Sequence, residues 1–247
     1  MPIRKILVAQ QEPSNLTHYS AISTRYGVSI DFHPFFLIEP LSSREFRSQR
    51  VNLPDYTAVV FSSRHAIDAY FALCEECRFK VPETMKYFCS TEVVAMYLQK
   101  HIIYRKRKIF FGNGTPASIV AQIGSKHKGE KFLLTTSDTA GGSTLSHLFD
   151  EAGLDYTTAV LVKSVSQDLK GLDLSVYDVI ALHNPADVKA LFASYPDFKQ
   201  GEMKFISFGK SIVKAMDEAG LTPVLQGPTP QAPSLSKALE QYLSQNN

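Results

Sequence analysis

The chain contains the same series of strand-like and helix-like segments twice, about 120 residues apart. DYTAVVFSSRHAI, from Asp55, corresponds to VYDVIALHNPADV, from Val176, and KYFCSTEVVAMYL, from Lys86, corresponds to KFISFGKSIVKAM, from Lys204. The other matching pairs, in order, are ILVAQ with FLLTT, HPFFLIEPL with TTAVLVKSV, and GNGTPASIV with GPTPQAPSLSKAL. A repeat of this length is a duplicated domain and not a short solenoid unit. Alternating strands and helices then predict an α/β fold with doubly wound parallel sheets.

The segment Tyr56–Phe71 shows how each repeat can bind a ligand. Its run Ala58–Phe61 is apolar and rich in β-branched residues, as in a parallel strand buried on both faces. Ser62 and Ser63 follow, and either can cap the helix that the next apolar residues predict. Such a turn directs backbone N–H groups and the positive helix end towards an anion. The alternative is that Ser63 only caps the helix and Arg64 is solvated.

Ligands of doubly wound sheets bind outside the carboxyl ends of the strands. Two repeats would give two such edges, and two edges facing each other across a hinge would form a cleft. Elsewhere the sequence predicts helices at Leu16–Tyr26, Ser42–Leu53 and Ser143–Ala152, ended respectively by Gly27, Pro54 and Gly153.

Composition excludes several classes of protein. The chain has 247 residues and a net charge of +2, which is too mild by itself to indicate a nucleic-acid-binding protein. The basic run Arg105–Lys108 could contact a phosphate backbone, but the pattern favours a solvated or substrate-facing edge. No apolar stretch approaches the roughly 20 residues that span a membrane. The chain has three cysteines, Cys74, Cys77 and Cys89. This odd number and the lack of a signal peptide favour a reducing cytoplasm. We predict that the three are buried thiols and not metal or redox ligands.

Three segments together resemble the uroporphyrinogen-III synthase family. They are FSSRHAIDAYF, FGKSIVKAMDEAGL and PTPQAPSLSKALEQYL. The resemblance covers nearly the whole chain, in order, and includes the duplication. It implies two flavodoxin-like doubly wound domains joined by a two-stranded β ladder at about Pro34–Leu41 and Ala159–Val165. Domain 1 would comprise residues 1–36 and 167–247, and domain 2 residues 37–166.

The resemblance also implies the reaction. The family cyclises hydroxymethylbilane to uroporphyrinogen III and inverts ring D through a spiro intermediate, without a metal or organic cofactor. It implies a monomer whose partner is this small-molecule substrate. The composition, as described above, adds the expectation of a cytoplasmic protein with no nucleic acid and no membrane as partners. Since the substrate carries many carboxylates, the expected site is rich in backbone N–H groups, hydroxyls and a few cations.

Matching the family's motifs residue by residue gives a set of candidate substrate-binding residues. Ser63 lies at the family's serine in the strand–turn–helix motif, and Ser211 falls in its threonine-rich turn. Asn184 is the counterpart of Ser63 in the second repeat, and Ser137 lies with Asp138 in the turn after a middle-domain strand. The full expected set is Ser63, Arg64, Ser137, Lys163, Asn184, Lys210 and Ser211.

The sequence departs from the family pattern at the position expected to assist departure of the substrate hydroxyl. The family usually has a tyrosine there, and this chain has Val162, with Tyr156 upstream and Lys163 adjacent. The first strand is followed by Ala9-Gln10-Gln11 in place of a Thr-Arg-Pro turn, and Ile212 replaces a frequent threonine. These departures leave the catalytic residue unassigned, and they leave a non-catalytic tetrapyrrole- or anion-binding relative as the alternative function.

Overall fold

The computed structural model describes residues 3–138 and 144–246. The strands are β1 (Lys5–Val8), β2 (Ser29–Phe32), β3 (Phe36–Pro40), β4 (Ala58–Phe61), β5 (Lys86–Cys89), β6 (Ile109–Phe111), β7 (Lys131–Ser137), β8 (Asp155–Ser166), β9 (Val179–Leu182), β10 (Lys204–Phe208) and β11 (Pro223–Gly227). The helices are α1 (Thr17–Tyr26), α2 (Ser43–Arg47), α3 (Arg64–Glu76), α4 (Glu92–Tyr97), α5 (Pro116–Ile123), α6 (Thr144–Glu151), α7 (Pro185–Ser194), α8 (Lys210–Glu218) and α9 (Leu235–Asn246).

The chain divides into two compact units, each with its own sheet. Unit 1 comprises Met1–Leu37 and Val165–Asn247, and unit 2 comprises Ile38–Ser164. In unit 1 the strand order is β2-β1-β9-β10-β11, and every neighbouring pair is parallel. Counted along the chain, this is the flavodoxin order 2-1-3-4-5.

Unit 2 has the same strand arrangement as unit 1, but its chain enters that arrangement at a different strand. Its parallel strands are ordered β8-β7-β4-β5-β6. When the count starts at β7, this order is again 2-1-3-4-5, so unit 2 is a circular permutation of unit 1. The permutation places β7 where unit 1 has β1, and β4, β5 and β6 where it has β9, β10 and β11. The predicted duplication and the predicted fold class are therefore confirmed.

The chain passes between the units in two adjacent strands. β3 lies next to β8 at the outside of the second sheet. The Leu41 amide donates to the Leu161 carbonyl at 2.9 Å, and the Gln167 amide donates to the Phe35 carbonyl at 2.8 Å. The residue numbers in the two pairs have the same sum, as antiparallel strands require. This is the β ladder that the family resemblance implied.

Both faces of each sheet are covered, which explains the continuous apolar runs in the sequence. In unit 1, Leu7 and Ile180 pack with α7 and α8, while Ile6 and Val179 pack with α1 and α9. Unit 2 likewise has one cluster around Val59 and another around Phe132. No helix in the described part of the chain is long and apolar enough to cross a bilayer.

Two predicted helix ends are confirmed, and one predicted helix is wrong. Gly27 and Gly153 adopt positive φ angles of 65° and 61° just after α1 and α6, as left-handed helix caps do. The predicted helix Ser42–Leu53, however, is helical only at Ser43–Arg47. The Gln49 side chain explains the early end, because it donates to the Val160 carbonyl and accepts from the Val160 amide, both at 2.8 Å. Arg50 follows with a φ of 57°, which no α-helix continues.

Candidate active site

In unit 2, the turn from β4 to α3 forms an open helix N-terminus. Ser63 is the N-cap, and its hydroxyl oxygen accepts from the Ala66 amide at 3.1 Å. The amides of Arg64 and His65 precede the first intrahelical bond and have no acceptor within residues 3–138 and 144–246. The Ser63 hydroxyl still has its own proton to donate. This turn therefore offers two amides and one hydroxyl to an anion.

The loops after β5 and β6 extend this edge with more small polar groups. The Ser90 hydroxyl donates to the Ser62 carbonyl at 3.1 Å, and the Gly114 amide donates to the Ser90 carbonyl at 2.8 Å. Thr91 caps α4 by accepting from the Val94 amide at 3.3 Å. A Cβ at Gly112 would lie 2.1 Å from the Ser118 hydroxyl oxygen, so a larger residue would displace this hydroxyl from its bonds to the Asn113 amide and the Thr115 carbonyl. The three loops are thus tied side by side at one edge.

Arg64 supplies a positive charge at the same edge. Its side chain is exposed, and its guanidinium carbon lies 5.4 Å from the centroid of the Tyr97 ring. The Tyr97 hydroxyl is held by a 2.7 Å hydrogen bond to Asp68. The aromatic face orients the guanidinium without neutralising it, so Arg64 keeps its charge available to a ligand.

Ser137 and Asp138 end β7, next to β8. The Asp138 amide donates to the Val162 carbonyl at 3.1 Å, and its carboxylate accepts from the Ser164 amide at 2.9 Å. Ser137 is half-buried and lies opposite Val162 in the strand register. The next residues, 139–143, lie outside the described residues.

In unit 1, the turn from β9 to α7 has the same backbone path but a closed N-terminus. Asn184 caps α7 by accepting from the Ala186 amide at 3.0 Å. One oxygen of Asp187 accepts from the His183 and Asn184 amides at 2.8 and 2.9 Å. The Asp187 amide donates to the Asn184 carbonyl, and Pro185 has no amide proton. All amides of this turn are therefore taken within the chain, and Asn184 retains only its side-chain NH₂ for a ligand.

Three buried polar atoms at this closed turn have no hydrogen-bond partner in the described part of the chain. Asp187 and Ser207 are 0% exposed, and the second Asp187 oxygen, the Ser207 hydroxyl and His183 Nδ1 have no hydrogen bond within the described ranges. Burial raises the pKa of Asp187 to about 6, although its two backbone hydrogen bonds oppose the shift. Burial also lowers the pKa of His183 to about 4. Near neutral pH this turn therefore holds a neutral imidazole beside a destabilised carboxylate.

The turn from β10 to α8 has a glycine at the N-cap position. Gly209 has a φ of 146°, and a Cβ there would lie 3.0 Å from the His183 carbonyl oxygen. Because glycine has no side chain, the N-cap residue offers no acceptor to the first-turn amides of α8, and within the described ranges these amides are open to a ligand. Ser211 is exposed in this first turn. Lys210 begins the helix, but its side chain lies outside the described residues.

A family model described as uroporphyrinogen-III synthase HemD matches residues 18–237, which is most of the chain.

The chain belongs to the uroporphyrinogen-III synthase family.

Two solved structures of this family share the fold. The uroporphyrinogen-III synthetase of Helicobacter pylori 26695 is 18% identical, with a TM-score of 0.61 over 98% of this chain and 100% of that one. A mutant uroporphyrinogen III synthase of the extremely thermophilic bacterium Thermus thermophilus is 13% identical, with a TM-score of 0.55 over 98% of both chains. No curated protein sequence matches this chain. As a member of the uroporphyrinogen-III synthase family, the chain is a cyclising lyase of tetrapyrrole biosynthesis, as its sequence predicted.

The position of the family tyrosine is part of the hydrophobic core here. Val162 is 4% exposed and packs in the cluster that contains Val59 and Phe61. Tyr156 cannot replace it, because it lies six residues back along β8, about 20 Å away. Its hydroxyl is bonded to Asp150 at 2.9 Å. A tyrosine hydroxyl from β8 is therefore missing from the carboxyl edge of unit 2.

Lys163, which the sequence places in the binding set, is already paired. Its amino group lies 2.7 Å from a Glu45 oxygen. Glu45 also accepts from the Ser42 amide in the capping box of α2, and together these contacts lower its pKa to about 2. A substrate carboxylate would have to compete with Glu45 for this lysine.

The structure brings the candidates of unit 2 together on one edge and those of unit 1 on another. Ser63 and Arg64 lie beside the end of β4, and Ser137 beside the end of its neighbour β7. Ser90 and Thr91 also lie at the edge of unit 2, although they are not in the set of site residues predicted from the sequence. The signal that could have found them is the repeat, which pairs them with Phe208 and Gly209 at the start of α8. Within the described ranges, no cluster of three or more His, Cys, Asp or Glu side chains could hold a metal ion.

Proposed function

We propose that this chain performs the family reaction, the cyclisation of hydroxymethylbilane to uroporphyrinogen III with inversion of ring D. We propose further that it binds the substrate carboxylates through open helix N-termini and hydroxyls at the carboxyl edges of its sheets. The observation that carries this proposal is the N-terminus of α3, where two free amides, the Ser63 hydroxyl and the Arg64 charge converge.

Each group has a defined part in binding. The Ser63 hydroxyl accepts from Ala66 and donates its own proton to a carboxylate, so capping and binding are compatible. Arg64 adds charge, and Ser137 adds a hydroxyl at the neighbouring strand end. In unit 1, Ser211 and Lys210 serve the open N-terminus of α8, and Asn184 contributes its side-chain NH₂. Lys163 contributes only where a substrate carboxylate displaces Glu45.

The chemical step is assigned mainly to the substrate. Loss of hydroxide from the bilane leaves an azafulvenium cation, stabilised by the electron-rich pyrrole, and the substituted carbon of ring D attacks it to give the spiro intermediate. This intermediate fragments at the bond from the spiro carbon to the neighbouring bridge and recloses with ring D inverted; the proton lost on ring closure and the hydroxide together make water. Val162 has no proton to donate to the leaving hydroxide. The role of the protein is therefore to position the substrate. It holds the linear tetrapyrrole in a folded conformation in which its two ends react.

The test is the identity of the product isomer. The purified chain, supplied with hydroxymethylbilane by a coupled reaction, should yield isomer III in excess of the spontaneous isomer I. Arg64→Gln should raise KM roughly tenfold, the size of one charge-assisted contact. Lys126→Gln, the same loss of charge in the loop before β7 at the opposite edge, should leave KM unchanged. Isomer I alone from folded protein would refute the proposal.

We also propose that the chain acts as a cytoplasmic monomer and does not bind nucleic acid. Its three cysteines are free thiols, which suits a reducing compartment. Burial raises the pKa of the Cys74 and Cys89 thiols to about 12, so both stay protonated and unreactive. Sedimentation at micromolar concentration and a salt-dependent RNA-binding titration test the two remaining statements.

A further inference from the structure

The amino edge of the sheet in unit 2 contains an apolar cavity that the synthase reaction does not use. It has a volume of about 200 Å³ and lies where β5 and β6 begin. Its apolar walls include Val81, Pro82, Met85, Ile102 and Ile109. The substrate-binding groups proposed above for unit 2 lie at the carboxyl edge of its sheet, about 13 Å away along strands of this length. The cavity is therefore a separate site.

An aromatic side chain also lines this cavity. Tyr87 is 3% exposed and lies among the lining residues together with Met85 and Ile109. It belongs to the apolar cluster that contains Phe61 and Phe71, so its ring is held in place by packing. An aromatic wall of this kind favours a ligand ring, which can stack on it or meet it edge to face.

The mouth of the cavity is positively charged. Arg105 and Lys108 line it together with one acidic residue, Glu83. Glu83 pairs with Arg105 at 3.2 Å, but its side chain is 83% exposed, so the ion pair is weak and exchangeable. Lys108 has no carboxylate partner in the described part of the chain. Lys106 and Arg107 complete the basic run Arg105–Lys108, which therefore lies next to an apolar cavity.

The size of the cavity limits its ligand to about one ring. A cavity of about 150 Å³ lined by aliphatic and aromatic side chains holds benzene. A volume of about 200 Å³ therefore accepts one aromatic ring with a short side chain, and a tetrapyrrole is excluded. The apolar walls favour the ring, and the cations at the mouth favour an anionic end.

We propose that this cavity binds a small aromatic monocarboxylate, with the ring among Met85, Tyr87 and Ile109 and the carboxylate at Lys108 and Arg105. The affinity expected for a ligand of about eleven non-hydrogen atoms corresponds to a Kd on the order of 0.1–1 mM. The inference is independent of the proposed synthase activity, since it uses none of the same residues.

The test uses the full chain, labelled with ¹³C at the methionine methyl groups. The chain has five methionines, and Met85→Leu identifies the signal of Met85. Titration with 3-phenylpropionate should shift the Met85 signal saturably and leave the Met203 and Met216 signals unmoved. Lys108→Gln should weaken binding roughly tenfold, as the loss of one charge-assisted contact requires. Lys126→Gln is the matched control and should bind as the parent chain does.

A comparison of the acid with its neutral amide makes the outcome decisive. 3-Phenylpropionamide should bind roughly tenfold more weakly than the acid. Equal binding of the acid and the amide would overturn the assignment to carboxylates. An unmoved Met85 signal up to about 10 mM of the acid would overturn the site itself, because that concentration is well above the expected Kd. The isomer assay is unaffected by either result.

Discussion

Individual residues decide whether a helix N-terminus in this fold is open to an anion. Ser63 and Asn184 are equivalent N-caps, so the Arg64 and His65 amides of α3 correspond to Pro185 and Ala186 of α7. Pro185 has no amide proton, and the Asn184 side chain accepts from the Ala186 amide. The Arg64 and His65 amides, by contrast, have no acceptor in the described part of the chain. The two repeats therefore differ in chemistry at turns that both begin with an extended N-cap.

Ser63→Asp should separate the binding role of Ser63 from its capping role. Aspartate caps helices as well as serine does, so the free energy of unfolding should stay within about 0.5 kcal/mol of the parent value. Its carboxylate would repel the polyanionic substrate, so KM should rise more than tenfold, while Ser63→Thr should preserve both quantities. Urea unfolding and steady-state kinetics measure the two effects. An unchanged KM in a stable Ser63→Asp chain would show that no substrate carboxylate binds here.

The pair His183 and Asp187 should give opposite pH dependences of stability. The pKa of Asp187 is raised from 3.8 to about 6 in the fold, so its contribution is present below pH 4 and lost as pH rises through 6. The pKa of His183 is lowered from 6.5 to about 4, so its contribution is present above pH 6.5 and lost as pH falls through 4. In the parent chain the two contributions to the pH dependence of the free energy of unfolding largely cancel.

Single substitutions should reveal each trend. In Asp187→Asn the amide oxygen can still accept from the turn, and only the His183 trend remains, so the free energy of unfolding should rise between pH 4 and 6.5. In His183→Phe only the Asp187 trend remains, so it should fall over the same range. Each change is about 3 kcal/mol at most, from shifts of just over two pKa units. Urea unfolding at several pH values measures them, and parallel curves for both variants would contradict this account.

At the scale of elements, the sequence predicted the strands well because they are buried on both faces. Continuous apolar runs alone were enough to predict β4, β5 and the apolar core of β9. α2 was predicted too long because a tertiary contact, the double hydrogen bond of Gln49 to β8, ends it. Such a contact depends on residues more than 100 positions apart and leaves no local pattern. The ion pair of Lys163 with Glu45 likewise leaves no local pattern, although it decides whether this lysine can bind a substrate carboxylate.

β8 presents Val162 to the core, and this predicts what restoring the family tyrosine would do. Val162→Tyr adds a ring and a hydroxyl to a site that is 4% exposed among packed aromatic and aliphatic side chains. Overpacking of this kind costs about 1–3 kcal/mol, and the hydroxyl would be buried as well. We therefore expect lower stability and no gain in kcat. Val162→Phe, which adds the ring alone, is the control. A kcat that rises in the tyrosine variant but not in the phenylalanine variant would contradict this account, because it would mean that β8 can present a hydroxyl from this position to the substrate.

At the scale of the whole molecule, the permuted order of unit 2 brings its two chain ends together. β3 and β8 are adjacent antiparallel strands, and the chain enters and leaves unit 2 within them. The unit keeps a parallel sheet of its own and an apolar cluster on each face. Cutting the chain in these two strands therefore interrupts neither the sheet order nor the core, which is the condition for independent folding.

The fragment Ile38–Ser164 should fold alone. We expect a single cooperative urea transition and native-like near-ultraviolet dichroism, because every strand of its sheet from β4 to β8 is present. The shorter fragment Ile38–Gly129 is the control. It lacks β7, α6 and β8, and with them Phe132, Leu134 and Phe149 of one core cluster. It should remain unfolded. A non-cooperative, dye-binding longer fragment would mean that unit 2 needs the rest of the chain to complete its packing.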